Sequence, residues 1–288
     1  MSRGLHHVTH TVRRVDALAE IYARLGFQVS GRNRHSWGTH NRIVQLPGFY
    51  VELLEVAEPE KIIPHAGRSF SFGAFNRDFS ERAEGLAMLA LESRNAQADA
   101  DAFHTAGIGD FEVFKFEREG RRPDGAIAKL AFSLAFAMDA KAPDIGFFTC
   151  QEHDPENFWN PAVQVHTNTA MAVASIVLAA ENPSDHHVFL SSLTGQRELL
   201  ATSSGITVKT PRGDIQVMHP AAFASHFGVV PPDVSRGMRL AGMRFAVRDF
   251  SAALGTLQKA NVAARVRMGR VVVGPDVAKG ATIVFEQG

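Results

Sequence analysis

The chain repeats one order of elements four times, and this repetition constrains its fold more than any other feature. An extended run over residues 5–12 leads into apolar residues at helical spacing over 15–25, then Gly26 and a second extended run from Phe27. The order returns at 86–92, with a helix over 96–105 and Gly107 as its stop, and at 173–179, with a helix over 185–193 and Gly195. A fourth copy has a strand at 243–247, a helix over 250–259 and Asn261 in the place of glycine. These starts are too far apart for a solenoid and too irregular for a propeller, so each unit must be a small module. After each helix the sequence turns β-rich: 42–46 and 49–56 around Pro47-Gly48, 127–138 and 147–150, 206–209 and 215–218, 271–273 and 282–286. The module reads βαβββ. One helix cannot cover both faces of such a sheet, so the modules should pair and curl their sheets around a cavity. The expected class is α+β, with four modules in two domains of curled mixed sheet, residues 1–158 and 159–288, joined near 155–161.

Composition narrows what such domains can serve. Among 288 residues, 30 Lys and Arg balance 30 Asp and Glu. That balance gives no long-range field for nucleic acid or an anionic membrane, so the expected partner is a small molecule. The single cysteine, Cys150, cannot form an internal disulfide, and no stretch approaches a membrane span, so a cytoplasmic location is expected. Phenylalanine supplies 21 aromatic rings against two Trp and two Tyr, which suits apolar core and pocket walls.

Tandem βαβββ modules whose first strand reads Leu5-His6-His7-Val8 resemble the vicinal oxygen chelate superfamily of glyoxalases, extradiol dioxygenases and fosfomycin-resistance enzymes. Residues 5–45, 49–55 and 147–161 are similar to glyoxalase-like domains. The resemblance implies a divalent cation bound on the inner face of a sheet, with zinc, nickel, manganese or iron as candidates. It does not select a reaction, because one fold hosts several chemistries.

Strand alternation sorts the first histidines. His7, Thr9 and Thr11 share one face, and His6, Val8, His10 and Val12 share the other, whose valines should lie under the helix. His7 then points into the cavity, at the place where the resemblance implies a metal ligand. The second ligand position implied by the resemblance falls on Glu52 within Tyr50-Val51-Glu52-Leu53-Leu54. A carboxylate on so apolar a face needs a partner, either a cation or an arginine, unless Glu55 is the inward residue instead.

The second module opens without a histidine at residues 85–90, where the resemblance implies one, so the His/Glu/His/Glu set of that family is incomplete. His153 is the expected third ligand, with Gln151 and Glu152 behind it, since imidazole and carboxylate suit the metals named above. The resemblance to glyoxalases makes Glu52 or Glu152 the candidate proton carrier. Trp37, Asn41 and Arg42, in the loop and strand following His35, are candidate substrate contacts, as is Gln151. Cys150 reads as a small buried hydrophobe. In the second half Glu286 alone matches a ligand position, so that domain is expected to be structural or to supply a lid or a homodimer surface. These readings favour a metal-dependent isomerase or lyase acting on adjacent oxygens. A metal-free small-molecule binder is the alternative, and an extradiol-type dioxygenase ranks third.

Overall fold

The computed structural model describes residues 2–121 and 125–288. The first module contains β1 (Leu5–Thr11), α1 (Val15–Arg24), β2 (Asn33–Arg34), β3 (Thr39–Leu46) and β4 (Phe49–Val56). A further helix, α2 (Phe72–Arg82), precedes the second module of β5 (Gly85–Glu92), α3 (Ala96–Thr105), β6 (Phe114–Arg121), β7 (Ile127–Ala137) and β8 (Gly146–Glu152). Two short 3₁₀ turns, Pro155–Asn157 and Pro161–Val163, lead to the third module: β9 (Ala170–Ala179), α4 (His187–Thr194), β10 (Leu199–Thr202), β11 (Gly205–Lys209) and β12 (Asp214–Met218). After α5 (Pro220–Phe227) come β13 (Arg239–Val247), α6 (Phe250–Lys259), β14 (Ala264–Arg267), β15 (Arg270–Val273) and β16 (Thr282–Gln287).

The helices form for local reasons. In α1 the buried Val15, Leu18 and Tyr22 recur every three or four residues and make one apolar stripe. Asn95 and Asp249 cap α3 and α6 through their side chains, accepting from Ala98 and Ala252 amides at 3.0 and 2.9 Å. Each module helix is followed by a residue of positive φ: Gly26, Gly107, Gly195 and Asn261. Asparagine tolerates that left-handed turn better than other side chains, which is why it can stand in for glycine there.

Among the described residues the strands form two eight-stranded sheets, ordered β2-β3-β4-β1-β5-β8-β7-β6 and β10-β11-β12-β9-β13-β16-β15-β14. In each, the two modules meet at antiparallel central strands, β1 with β5 and β9 with β13, while each module closes through a parallel pair such as β1 with β4. The helix-covered faces of both sheets share one core, in which Val8, Leu18 and Tyr22 are grouped with Met243, Phe245 and Phe285. Phe27 lies 5.2 Å from Phe245 across that seam, ring to ring. The opposite faces form two cups. α2 and its flank put Phe70, Phe72 and Phe79 into the first cup, and α5 puts Phe223 and Phe227 into the second. Neither helix belongs to the repeat. Among the described residues no helix is long and apolar enough to cross a membrane.

Candidate metal centre and cavity

Strand β1 positions the centre of the first cup. His7 lines the cavity, Thr9 donates its hydroxyl to Glu52 Oε2 at 3.1 Å, and Thr11 donates to Asn76 of α2 at 2.6 Å. His10 turns to the shared core, where its ring nitrogens meet the Tyr22 hydroxyl and the Lys279 carbonyl, each at 3.0 Å. His6 departs from simple alternation. The register between β1 and β5 shifts between Leu5 and His7, and such a bulge can turn two successive side chains the same way. His6 Nδ1 consequently sits 2.7 Å from His7 Nδ1 instead of facing the helices beside Val8.

The parallel pairing of β1 with β4 sets Tyr50 beside His7 and Glu52 beside Thr9. Tyr50 stacks on the His7 ring at 4.3 Å. On the other side of β1, the small Ala90 of β5 separates His7 from Phe148 and leaves room for the side chains of β8. From there Cys150 joins the histidines: the donor atoms of His6, His7 and Cys150 lie within 4.8 Å of one another, all three side chains buried. It is the one such cluster among the described residues.

The donor set suits a transition metal. Zinc bonds imidazole nitrogen at about 2.0 Å and thiolate sulfur at about 2.3 Å, which places donor atoms roughly 3–4 Å apart. Behind His6, Glu152 approaches Nε2 at 3.4 Å through Oε1, a buried oxygen with no hydrogen-bond partner, while its Oε2 accepts from Trp159 Nε1 at 2.7 Å. A carboxylate behind an imidazole, with the other ring nitrogen turned inward, is the usual support of a metal-binding histidine. Burial and the neighbouring His6 hold the His7 pKa well below its ordinary value, so its ring is neutral and has a lone pair to offer. Burial, with the Glu152 and Glu52 carboxylates nearby, pushes the Cys150 thiol up; a cation at the cluster would oppose that shift. The residues present therefore fit a borderline-soft divalent ion better than a hard one.

The cavity beside the cluster is lined by His7, Asn41, Glu52 and Cys150 with Trp37, Tyr50 and several phenylalanines. It has a volume of about 40 Å³ and adjoins a cleft of about 520 Å³ that shares Ile43, Arg118 and Phe158 with it. Glu52 accepts from Asn41 Nδ2 at 2.6 Å as well as from Thr9. Its pKa is raised, because burial outweighs these two hydrogen bonds. His35 is lowered to about 3 by burial and by the Arg118 and His40 charges.

The residues singled out from sequence thus divide. His7, Trp37, Asn41 and Glu52 line the cavity, and Glu152 stands behind His6. Arg42 points the other way, to Asp16 of α1 and the Ser30 carbonyl, and Gln151 accepts the Ala96 amide at the start of α3. His153 is exposed and bonds Ser133 Oγ at 2.8 Å, because odd-numbered β8 side chains face away from the cup. It does not meet His7. Glu55 also faces the helices and accepts the Val15 amide at 2.7 Å. His6 and Arg118 were not selected from sequence, and the His6-His7 doublet was the only trace of the first.

In the second cup Glu286 is held by Arg244 and by Arg270, both at 2.8 Å, and Arg244 also donates to Gln216 at 2.7 Å. Two guanidiniums already neutralise the carboxylate that matched a ligand position.

Comparison with known proteins agrees with this architecture. The profile of the Glyoxalase-like domain family matches residues 5–194. No curated protein matches the chain. A hypothetical protein from Staphylococcus aureus superposes with a TM-score of 0.68 at 12% identity, over 99% of this chain and 100% of the other. A mutant 4-hydroxymandelate synthase from Streptomyces coelicolor gives 0.59 at 12% identity, over 100% and 93%. A fusion of a xylose isomerase-like TIM barrel with 4-hydroxyphenylpyruvate dioxygenase gives 0.52 at 13%, over all of this chain and 49% of the fusion. At such identities the likeness is one of fold. With the family profile covering the whole first sheet, the two modules of the first cup and the start of the third, the chain belongs to the Glyoxalase-like domain family of the vicinal oxygen chelate superfamily.

Proposed function

We propose that the first domain is a metal-dependent enzyme of the vicinal oxygen chelate type, acting as an isomerase or lyase on a small substrate with adjacent oxygens. The observation that carries this reading is the buried convergence of His6, His7 and Cys150 beside a cavity holding the Glu52 carboxyl. His6, His7 and Cys150 would hold the ion, with Glu152 and Trp159 fixing the His6 ring. A thiol among the donors favours zinc, nickel or iron over manganese. When bound, the ion would supply Lewis acidity toward the two substrate oxygens.

The chain's own groups supply the rest. Glu52, its pKa raised, holds a proton further toward neutral pH than an exposed glutamate does and can give or take it at Oε1 or Oε2. Asn41 and Thr9 fix the direction of those oxygens. The Tyr50 phenol, pushed up by burial, stays protonated beside His7. Aromatic walls keep water from the reacting atoms. The second domain, with Glu286 paired to Arg244 and Arg270, serves as a structural partner that buries the back of the first.

A second reading, a metal-free binding protein, draws on the 2.7 Å separation of the two Nδ1 atoms, which is that of an N–H···N hydrogen bond with one ring donating. Metal analysis of tag-free protein separates the two. The enzyme reading expects about one ion per chain, its loss in His7→Ala, and turnover of one class in a panel of thiol adducts, catechols and 2-oxo compounds. Sub-stoichiometric metal unchanged by reconstitution, with ligand binding intact in His7→Ala, selects the binder.

A further inference from the structure

Two buried hydrogen-bond donors in the first cup have no acceptor, and both line the same cavity. Trp37 Nε1 is one and Arg118 Nε is the other. Trp37 cannot turn to find a partner: His35 stacks on its face at 4.4 Å, and Phe114 and Phe116 meet it edge-on at 5.3 and 4.9 Å. Arg118 follows Phe114 and Phe116 on the inward face of β6, where Lys115, Glu117 and Glu119 point to solvent. One of its terminal nitrogens donates to the Glu119 carbonyl at 3.2 Å. Among the described residues no carboxylate forms an ion pair with it. Glu52 acts on it only through space, and Glu52 itself is biased toward its neutral form.

A guanidinium whose Nε is buried without an acceptor, beside phenylalanines and without a counter-ion, favours a ligand that accepts from it. Both orphaned groups are donors, so what completes them must accept. Arg118 also lines both this cavity and the larger cleft beside it, so it is within reach of a molecule held in either. We propose that the cavity takes a small carboxylate-bearing substrate whose anionic end is held by Arg118 and Trp37. The carboxylate supplies two acceptor oxygens to the two donors, and Phe116, Phe132 and Phe158 provide an apolar bed for the remainder. This names the substrate class for the enzyme reading above and rests on it, but the charge preference belongs to Arg118 and not to the ion.

The test is calorimetric titration of the full chain with benzoylformate and with its neutral amide, which share shape and differ in charge. The unaltered protein should bind the acid about tenfold more tightly than the amide or better, the usual scale for hydrogen bonds to a charged group. Arg118→Gln should bind the two alike, Arg118→Lys should keep part of the preference, and Trp37→Phe should weaken the acid alone. Circular dichroism confirms folding of each variant, and the lysine form carries the test if the glutamine form does not fold. Equal binding of acid and amide, no binding of either at millimolar concentration, or a preference that survives in Arg118→Gln overturns the inference. Repeating the titration after chelation separates it from the enzyme reading. A preference lost with the metal shows that the ion reads the charge, and the Arg118 inference fails alone. A preference kept by a protein that never held metal leaves Arg118 standing and removes the enzyme.

Discussion

At the residue scale, the site depends on side chains held in one protonation state by burial. Glu152 illustrates how a residue behind a ligand matters: it touches His6 at the nitrogen turned away from the cluster. Glu152→Gln should lower metal affinity by about 10- to 100-fold, the range typical of such supporting groups, without comparable loss of thermal stability. Competition with a chromophoric chelator measures this, and unchanged affinity would remove Glu152 from the centre. Glu52→Gln keeps the shape and removes the titrating oxygen, so turnover should fall by about 10²- to 10⁴-fold with metal content unchanged. A kcat within tenfold of the unaltered enzyme would take the proton-carrying role from Glu52. Alternation placed His7 and Thr9 inward, whereas Glu52 followed from the family resemblance with Glu55 as its alternative; the Val15 amide draws Glu55 to the helix side. It failed at His6, because a bulge interrupts the two-residue period and nothing in Leu5-His6-His7 announces one. Arg118 was illegible for another reason: its importance lies in lacking a partner, which only the assembled cup reveals.

At the scale of elements, the four helix stops were the clearest punctuation. Asn261 adopts φ of +50°, the left-handed region that a Cβ-bearing residue enters at a cost of about 1–2 kcal/mol unless it is asparagine or aspartate. Asn261→Ala should therefore lower the stability to urea by roughly 1 kcal/mol while Asn261→Gly leaves it within a few tenths. Equal losses in both would mean that the asparagine side chain, and not the backbone, matters there. Helices α2 and α5 escaped the reading because they belong to no repeat. Their phenylalanines pack into the mouths of the cups, and α2 thereby narrows the cavity that the modules alone would leave wide. The expectation that β8 would deliver His153 failed on parity: Phe148, Cys150 and Glu152 face the cup, and the next residue must face away.

At the scale of the whole molecule, the two sheets are not independent. Their helix-covered faces form one core, and His10 sits in it, between Tyr22 of α1 and the Lys279 carbonyl from the other domain. Burial lowers the His10 pKa to about 4, against small opposing effects of that carbonyl and the Glu84 carboxylate. An unfolded histidine titrates near 6.5, so between about pH 6.5 and 4 the unfolded chain binds the proton and the folded one does not. Stability should be full above pH 6.5 and fall by about 2–3 kcal/mol on reaching pH 4.5 from this group alone. His35 adds a loss of the same sign. Urea unfolding at pH 7 and 4.5 should show a smaller acid loss in His10→Gln than in the unaltered chain, and an equal loss would assign the sensitivity elsewhere.

The central claim is that a thiol and two imidazoles from β1 and β8 close around one ion in the first cup. Cobalt(II) titration reads this directly, since thiolate coordination gives an intense near-ultraviolet charge-transfer absorption. The account predicts a band that saturates at about one cobalt per chain and vanishes in Cys150→Ser while the weaker visible bands remain. Absence of that band, or its persistence in Cys150→Ser, would contradict it.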